Sequence, residues 1–108
     1  MTPTARSIQK LRNEGWLVER VEQWNSYTKT RKDCFGFADL LCCRGDVVML
    51  VQVTSGSNVS ARVAKINETP ASRFWLRPPT RKIVVQGWRK AGPRGKRKTW
   101  QCREVEIV

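Results

Sequence analysis

The sequence predicts an α/β fold in which helices pack on a mixed sheet. Three observations carry this. A helical pattern opens the chain and three strand-like runs follow it. The second and third of those runs flank the tight turn Arg44-Gly45-Asp46, so they pair antiparallel. A second helical pattern then separates them from two later strands, which makes it a crossover with strands on both sides. The expected order is α-β-β-β-α-β with an added C-terminal strand, in one domain over residues 1–108, since that length supports a single modest core.

The first helix starts at Thr2-Pro3, with Thr2 as N-cap and Pro3 at the first helical position. Ala5, Ile8 and Leu11 share one buried face, and Gly15 ends the helix. Trp16 to Trp24 mixes aromatic and β-branched residues with charges in near alternation, as a strand with one wet face does. Residues 25–34, polar and basic, are expected to be a surface loop. Phe37 to Cys43 and Val47 to Thr54 are continuous apolar runs, hence strands buried on both faces.

The turn between them fixes a register. With Gly45-Asp46 as a two-residue type II′ loop, Arg44 faces Val47, and counting outwards places Asp39 across from Gln52 and Phe37 across from Thr54, whereas a three-residue turn would put Asp39 across from Val51. Directly opposed Cβ atoms lie about 4.5–5.5 Å apart, so one ion can touch both side chains.

Ser57 is the expected N-cap of the crossover helix. Val59, Val63 and Ile66 form its apolar stripe, beside a polar stripe of Asn58, Arg62 and Lys65. A short helix begins at Thr69-Pro70 and stops at Pro78-Pro79. Strands over Arg81 to Trp88 and Thr99 to Val108 enclose a basic hairpin loop at 89–98.

Charge is the strongest global feature. The chain carries 21 Lys and Arg against 9 Asp and Glu, a net charge of +12, with no histidine. Such a balance favours a polyanionic partner, nucleic acid first, because neutralised phosphates release condensed counterions. The lack of histidine excludes Ser-His and Cys-His nucleophilic machinery and leaves carboxylate, metal and lysine chemistry. The spacing of Cys34, Cys42, Cys43 and Cys102 does not fit a zinc site, so they read as reduced, partly buried thiols. No apolar run is long enough to span a membrane and no signal-peptide core is visible, so a cytoplasmic location is expected. The tryptophans are expected to anchor the core rather than to stack on bases.

The segment GFADLL, the turn, VMLVQVTSG and a following helix with Arg62 and Lys65 resemble the PD-(D/E)XK nuclease superfamily. This is the restriction-endonuclease-like three-layer fold of archaeal-type Holliday junction resolvases and VRR-NUC domains, and the resemblance covers roughly residues 4–90. Position by position, it puts the motif Asp on Asp39, the Glu position on Gln52 and the Lys position on Thr54, so two of three motif residues depart. It implies a Mg²⁺- or Mn²⁺-dependent endonuclease acting on DNA, branched DNA included, and a homodimer, as in many relatives. The metal ligands would be the Asp39 carboxylate, the Gln52 side-chain carbonyl and the Val53 backbone carbonyl, with Glu14 or Glu19 as an extra carboxylate. The displaced cation would be Lys65, or Arg62, on the following helix; the alternative for either is a solvated helix face. Phosphate contacts are assigned to Arg62, Lys65, Arg89, Lys90, Arg94, Lys96, Arg97 and Lys98. The neutral Gln52 and Thr54 keep a second reading open, a catalytically inactive nucleic-acid-binding protein on the same fold.

Overall fold

The computed structural model describes residues 1–108. Helix α1 (Pro3–Asn13) begins as its residues dictate, with Thr2 Oγ1 accepting a hydrogen bond from the Ala5 N–H at 3.1 Å. Gly15, at φ 90°, reverses the chain into β1 (Leu17–Arg20). The chain then forms β2 (Gln23–Asn25), β3 (Thr30–Lys32), β4 (Leu40–Arg44) and β5 (Val47–Ser55). A single 3₁₀ turn leads into α2 (Val59–Asn67) and α3 (Pro70–Trp75), then β6 (Arg81–Ala91) and β7 (Thr99–Ile107). No helix is long and apolar enough to cross a membrane.

Five strands form one mixed sheet in the order β1-β4-β5-β6-β7, with only β5 and β6 parallel. The pair α2 and α3 supplies the crossover that a parallel connection needs. Helix α1 covers one face of the sheet, where Leu11, Trp16, Val18, Leu40, Cys42, Met49, Val51 and Val84 pack together. The other face meets α2 and α3 through Phe37, Leu50, Val59, Ile66, Ile83 and Val85. Strand β5 sends Met49 and Val51 one way and Leu50 the other, which is why its sequence is apolar from Val47 to Val51. Gly87 lets α2 approach closely, because a Cβ there would lie 2.2 Å from Val59 Cγ2.

The Gly45-Asp46 turn forms as expected. Gly45 has φ 58° while Asp46 stays at negative φ, the type II′ pattern, and β4 pairs with β5 from Arg44–Val47 to Leu40–Val51. Beyond Leu40 the strand ends earlier than its apolar run suggests. Phe35 and Gly36 take left-handed backbone at φ 56° and 82°, and Cys34 and Ala38 exchange backbone hydrogen bonds, so Phe37 lies in a turn rather than facing Thr54 from a strand.

Four other expectations need correction. The run Trp16 to Trp24 is two strands, because β4 begins only at Leu40 and residues beyond Val21 have no partner in the main sheet. They pair instead with β3, inside the segment read as a loop, as Trp24–Arg31 and Asn25–Thr30. Ser57 is not the N-cap of α2; it lies in the 3₁₀ turn, and Asn58 precedes the helix without a side-chain cap. Arg89 and Lys90 belong to β6, which runs three residues past Trp88, so the loop proper is shorter than 89–98. Trp24 and Trp100 are exposed, whereas Trp16 is buried and Trp88 is held by a hydrogen bond from Nε1 to Ser7 Oγ.

Candidate functional site

The site grows from the point where β4 leaves β5. Asp39 bonds through its backbone on both sides, its N–H to Val51 O and its carbonyl from Val21 N, both at 2.9 Å. The Ala38 carbonyl is taken by Cys34. Val53 N–H is accepted instead by the Asp39 carboxylate, at 2.7 Å to Oδ2. Gln52 Nε2 donates to the same oxygen at 3.4 Å, so the two side chains meet as the register count requires. Asp39 is 6% exposed and Gln52 4%.

Two further carboxylates converge on Asp39. Glu22 follows β1, Asp33 follows β3, and one oxygen from each of Glu22, Asp33 and Asp39 lies within 4.8 Å of the others. Burial pushes the Asp39 carboxyl up to about 7; the Val53 N–H works against this, while the charges of Asp33 and Glu22 add to it. The Asp39 carboxyl is therefore harder to ionise than an ordinary carboxylate. Arg20 Nη1 stands 3.8 Å from Glu22 Oε1, but no lysine or arginine pairs with Asp39 or Asp33.

The expected extra carboxylates lie elsewhere. Glu14 is bound by Lys10 one turn back on α1, and Glu19 is exposed on β1. Val53 meets Asp39 through its N–H and not through its carbonyl. Thr54 is buried two residues beyond Gln52. Arg62 is half-buried on α2 and Lys65 is exposed in its last turn; neither makes an ion pair with the acidic cluster, so a solvated helix face describes Lys65. Glu22 was legible only as a charge near a strand end, and its approach depends on β1 pairing with β4 across a long connection.

The basic residues form a separate surface. Arg94, Lys96, Arg97 and Lys98 are exposed on the loop after β6. Lys90 and Arg6 both lie over the Trp100 ring, at 5.6 and 4.2 Å from its centroid. Arg89, whose stem crosses Gly56, and Arg103 line a cleft of about 680 Å³ with Ser57 and Gln101. All four cysteines are free thiols, and burial pushes Cys42 up to about 12.

Comparison with protein families, with curated proteins and with solved structures finds no match to this chain.

Proposed function

We propose that this protein is a divalent-metal-dependent DNA endonuclease of the PD-(D/E)XK type, with Asp39, Asp33 and Glu22 as its acidic centre. One observation carries the reading: three carboxylates converge at the start of a core strand in a chain of net charge +12. Oxygens shared by one Mg²⁺ at about 2.0–2.1 Å lie roughly 3–4 Å apart, so groups already within 4.8 Å need to move about 1 Å to share an ion. The donor set, hard oxygens only, fits Mg²⁺ or Mn²⁺.

Bound there, the ion would offset two of the cluster's three negative charges, polarise a phosphate oxygen and lower the pKa of water. The chain's own residues do the rest. Val53 N–H and the Gln52 amide hold the Asp39 carboxyl in one orientation. Gln52 therefore acts as a positioning residue in place of the expected neutral ligand. Asp39 would have to be ionised to hold a cation, so affinity for the ion would rise with pH up to about 7. Arg89 and the loop cations bind backbone phosphates of the DNA. The target would be cytoplasmic DNA, with branched forms included, and a homodimer would place two such centres on two strands.

Nicking of a supercoiled plasmid with Mg²⁺ or Mn²⁺ tests the proposal. Asp39→Ala is expected to lower cleavage by at least about 100-fold, more than loss of an outer-shell partner does. Cleavage that survives this change would overturn the assignment. The competing reading, an inactive DNA-binding protein, is favoured by the neutral Gln52 and by the lack of a paired cation at Asp39. It predicts salt-sensitive DNA binding with no heat on Mn²⁺ titration and no cleavage.

A further inference from the structure

The ribbon of β2 and β3 is a two-stranded sheet of its own, outside the five-stranded sheet. Its six strand residues are all exposed, Trp24 is 61% exposed and Tyr27, near the tip, is 97% exposed. An isolated two-stranded ribbon is marginal in water unless something holds or covers it. This one has a preformed tip: Asn25 Oδ1 accepts from the N–H groups of Tyr27 and Thr28 at 2.9 and 3.2 Å, and the hydroxyls of Thr28 and Thr30 pair at 2.6 Å. Residues 23–32 contain Lys29, Arg31 and Lys32 and no acidic residue. Trp24 faces Arg31 directly across the pair, so a ring and a guanidinium share one side.

The root of the ribbon is the acidic cluster. Glu22 immediately precedes β2 and Asp33 immediately follows β3. From Glu22, five residues of extended chain place Tyr27 at most about 16 Å away, or roughly five base-pair steps of 3.4 Å.

We infer that the β2–β3 ribbon is a DNA-gripping arm that stacks Trp24 and Tyr27 on unpaired bases beside the acidic centre, with Arg31 and the neighbouring lysines on the phosphates. The inference rests on the reading of this protein as one that acts on DNA. Exposed aromatic rings need open base faces, which forks, branches and single strands offer and the interior of a paired duplex does not. The cations complement the phosphates without selecting sequence.

The test is fluorescence anisotropy of the whole protein in EDTA, with a labelled forked duplex bearing unpaired arms and a blunt duplex of the same length. Trp24→Ala and Tyr27→Ala should each weaken fork binding about tenfold and change blunt-duplex binding less than about twofold. Trp24→Phe should retain most of the affinity. Thermal melts should match the wild type, since both side chains are exposed. Unchanged fork affinity in both alanine variants overturns the arm. So does an equal loss on both DNAs, which would mean phosphate contact alone, and so does tighter binding of the wild type to a forked RNA. A wild type that binds no DNA overturns the reading of function itself. A protein that binds forks through the ribbon yet never cleaves leaves the arm standing and removes only the nuclease chemistry.

Discussion

Two hairpins of this molecule, in separate sheets, obey different rules. The β4–β5 hairpin turns on Gly45-Asp46, is buried on both faces, and pairs in the register that its turn dictates. The β2–β3 ribbon turns through a longer loop capped by Asn25, and its strand residues are exposed. A slip of one residue in the first would carry its whole apolar set to the wrong face, so its pairing is unique. Nothing comparable constrains the second, whose pairing is set by the local turn and by the point where its roots leave β1 and enter the Cys34–Ala38 turn. Burial specifies structure in one hairpin, and exposure leaves the other free for a partner.

Breaking this contrast should show up first in the core. Leu50→Ala, at the buried centre of β5, is expected to cost about 2–5 kcal/mol in denaturant unfolding. A smaller loss would mean that the strand is less tightly packed than its neighbours require.

The next effect belongs to Asp39 and has an unusual sign. Its carboxyl titrates at about 7 in the fold against an ordinary value near 4, so the folded state holds the extra proton. Its contribution is harmless below about pH 4, grows more destabilising as pH rises to about 7, and is constant above. Asp39→Asn should therefore stabilise the protein at pH 8, by on the order of 2 kcal/mol after solvent screening, and do little at pH 4. Melting curves at the two pH values read this directly. The same variant should lose the heat of Mn²⁺ binding.

Gly45→Ala tests the turn alone. It places a side chain at φ 58° and should cost about 1 kcal/mol without changing the register, which amide exchange across β4 and β5 would report. Trp24→Ala completes the series from the other hairpin: its effect on stability should stay within about 0.5 kcal/mol, the range of an exposed site. A larger loss would show that the ribbon packs on the body of the protein in solution.

Much of the sheet was readable because its signals are local. Thr2-Pro3, Gly15 and the Pro78-Pro79 stop mark helix limits by backbone chemistry that does not depend on distant residues. The meeting of Asp39 and Gln52 followed from counting through a two-residue loop. The other half of the centre could not be counted. Glu22 and Asp33 reach Asp39 only because β1 pairs with β4 and the ribbon's roots converge there, and nineteen residues separate β1 from β4 with no tight turn to count through. The expected role of Lys65 came from the resemblance, with the polar stripe it shares along α2, and such a stripe says which residues share a face, not what that face meets.

By itself, then, the sequence determined the mixed α/β character, the β4–β5 register and a large net positive charge, since periodicity, turn stereochemistry and net charge act over short range or by simple sum. Only the tertiary structure decided which acids gather around Asp39 and which aromatic residues stay in water. Both depend on contacts between segments far apart in the chain, where burial and mutual repulsion raise the Asp39 carboxyl and where Trp24 and Tyr27 find no core to enter.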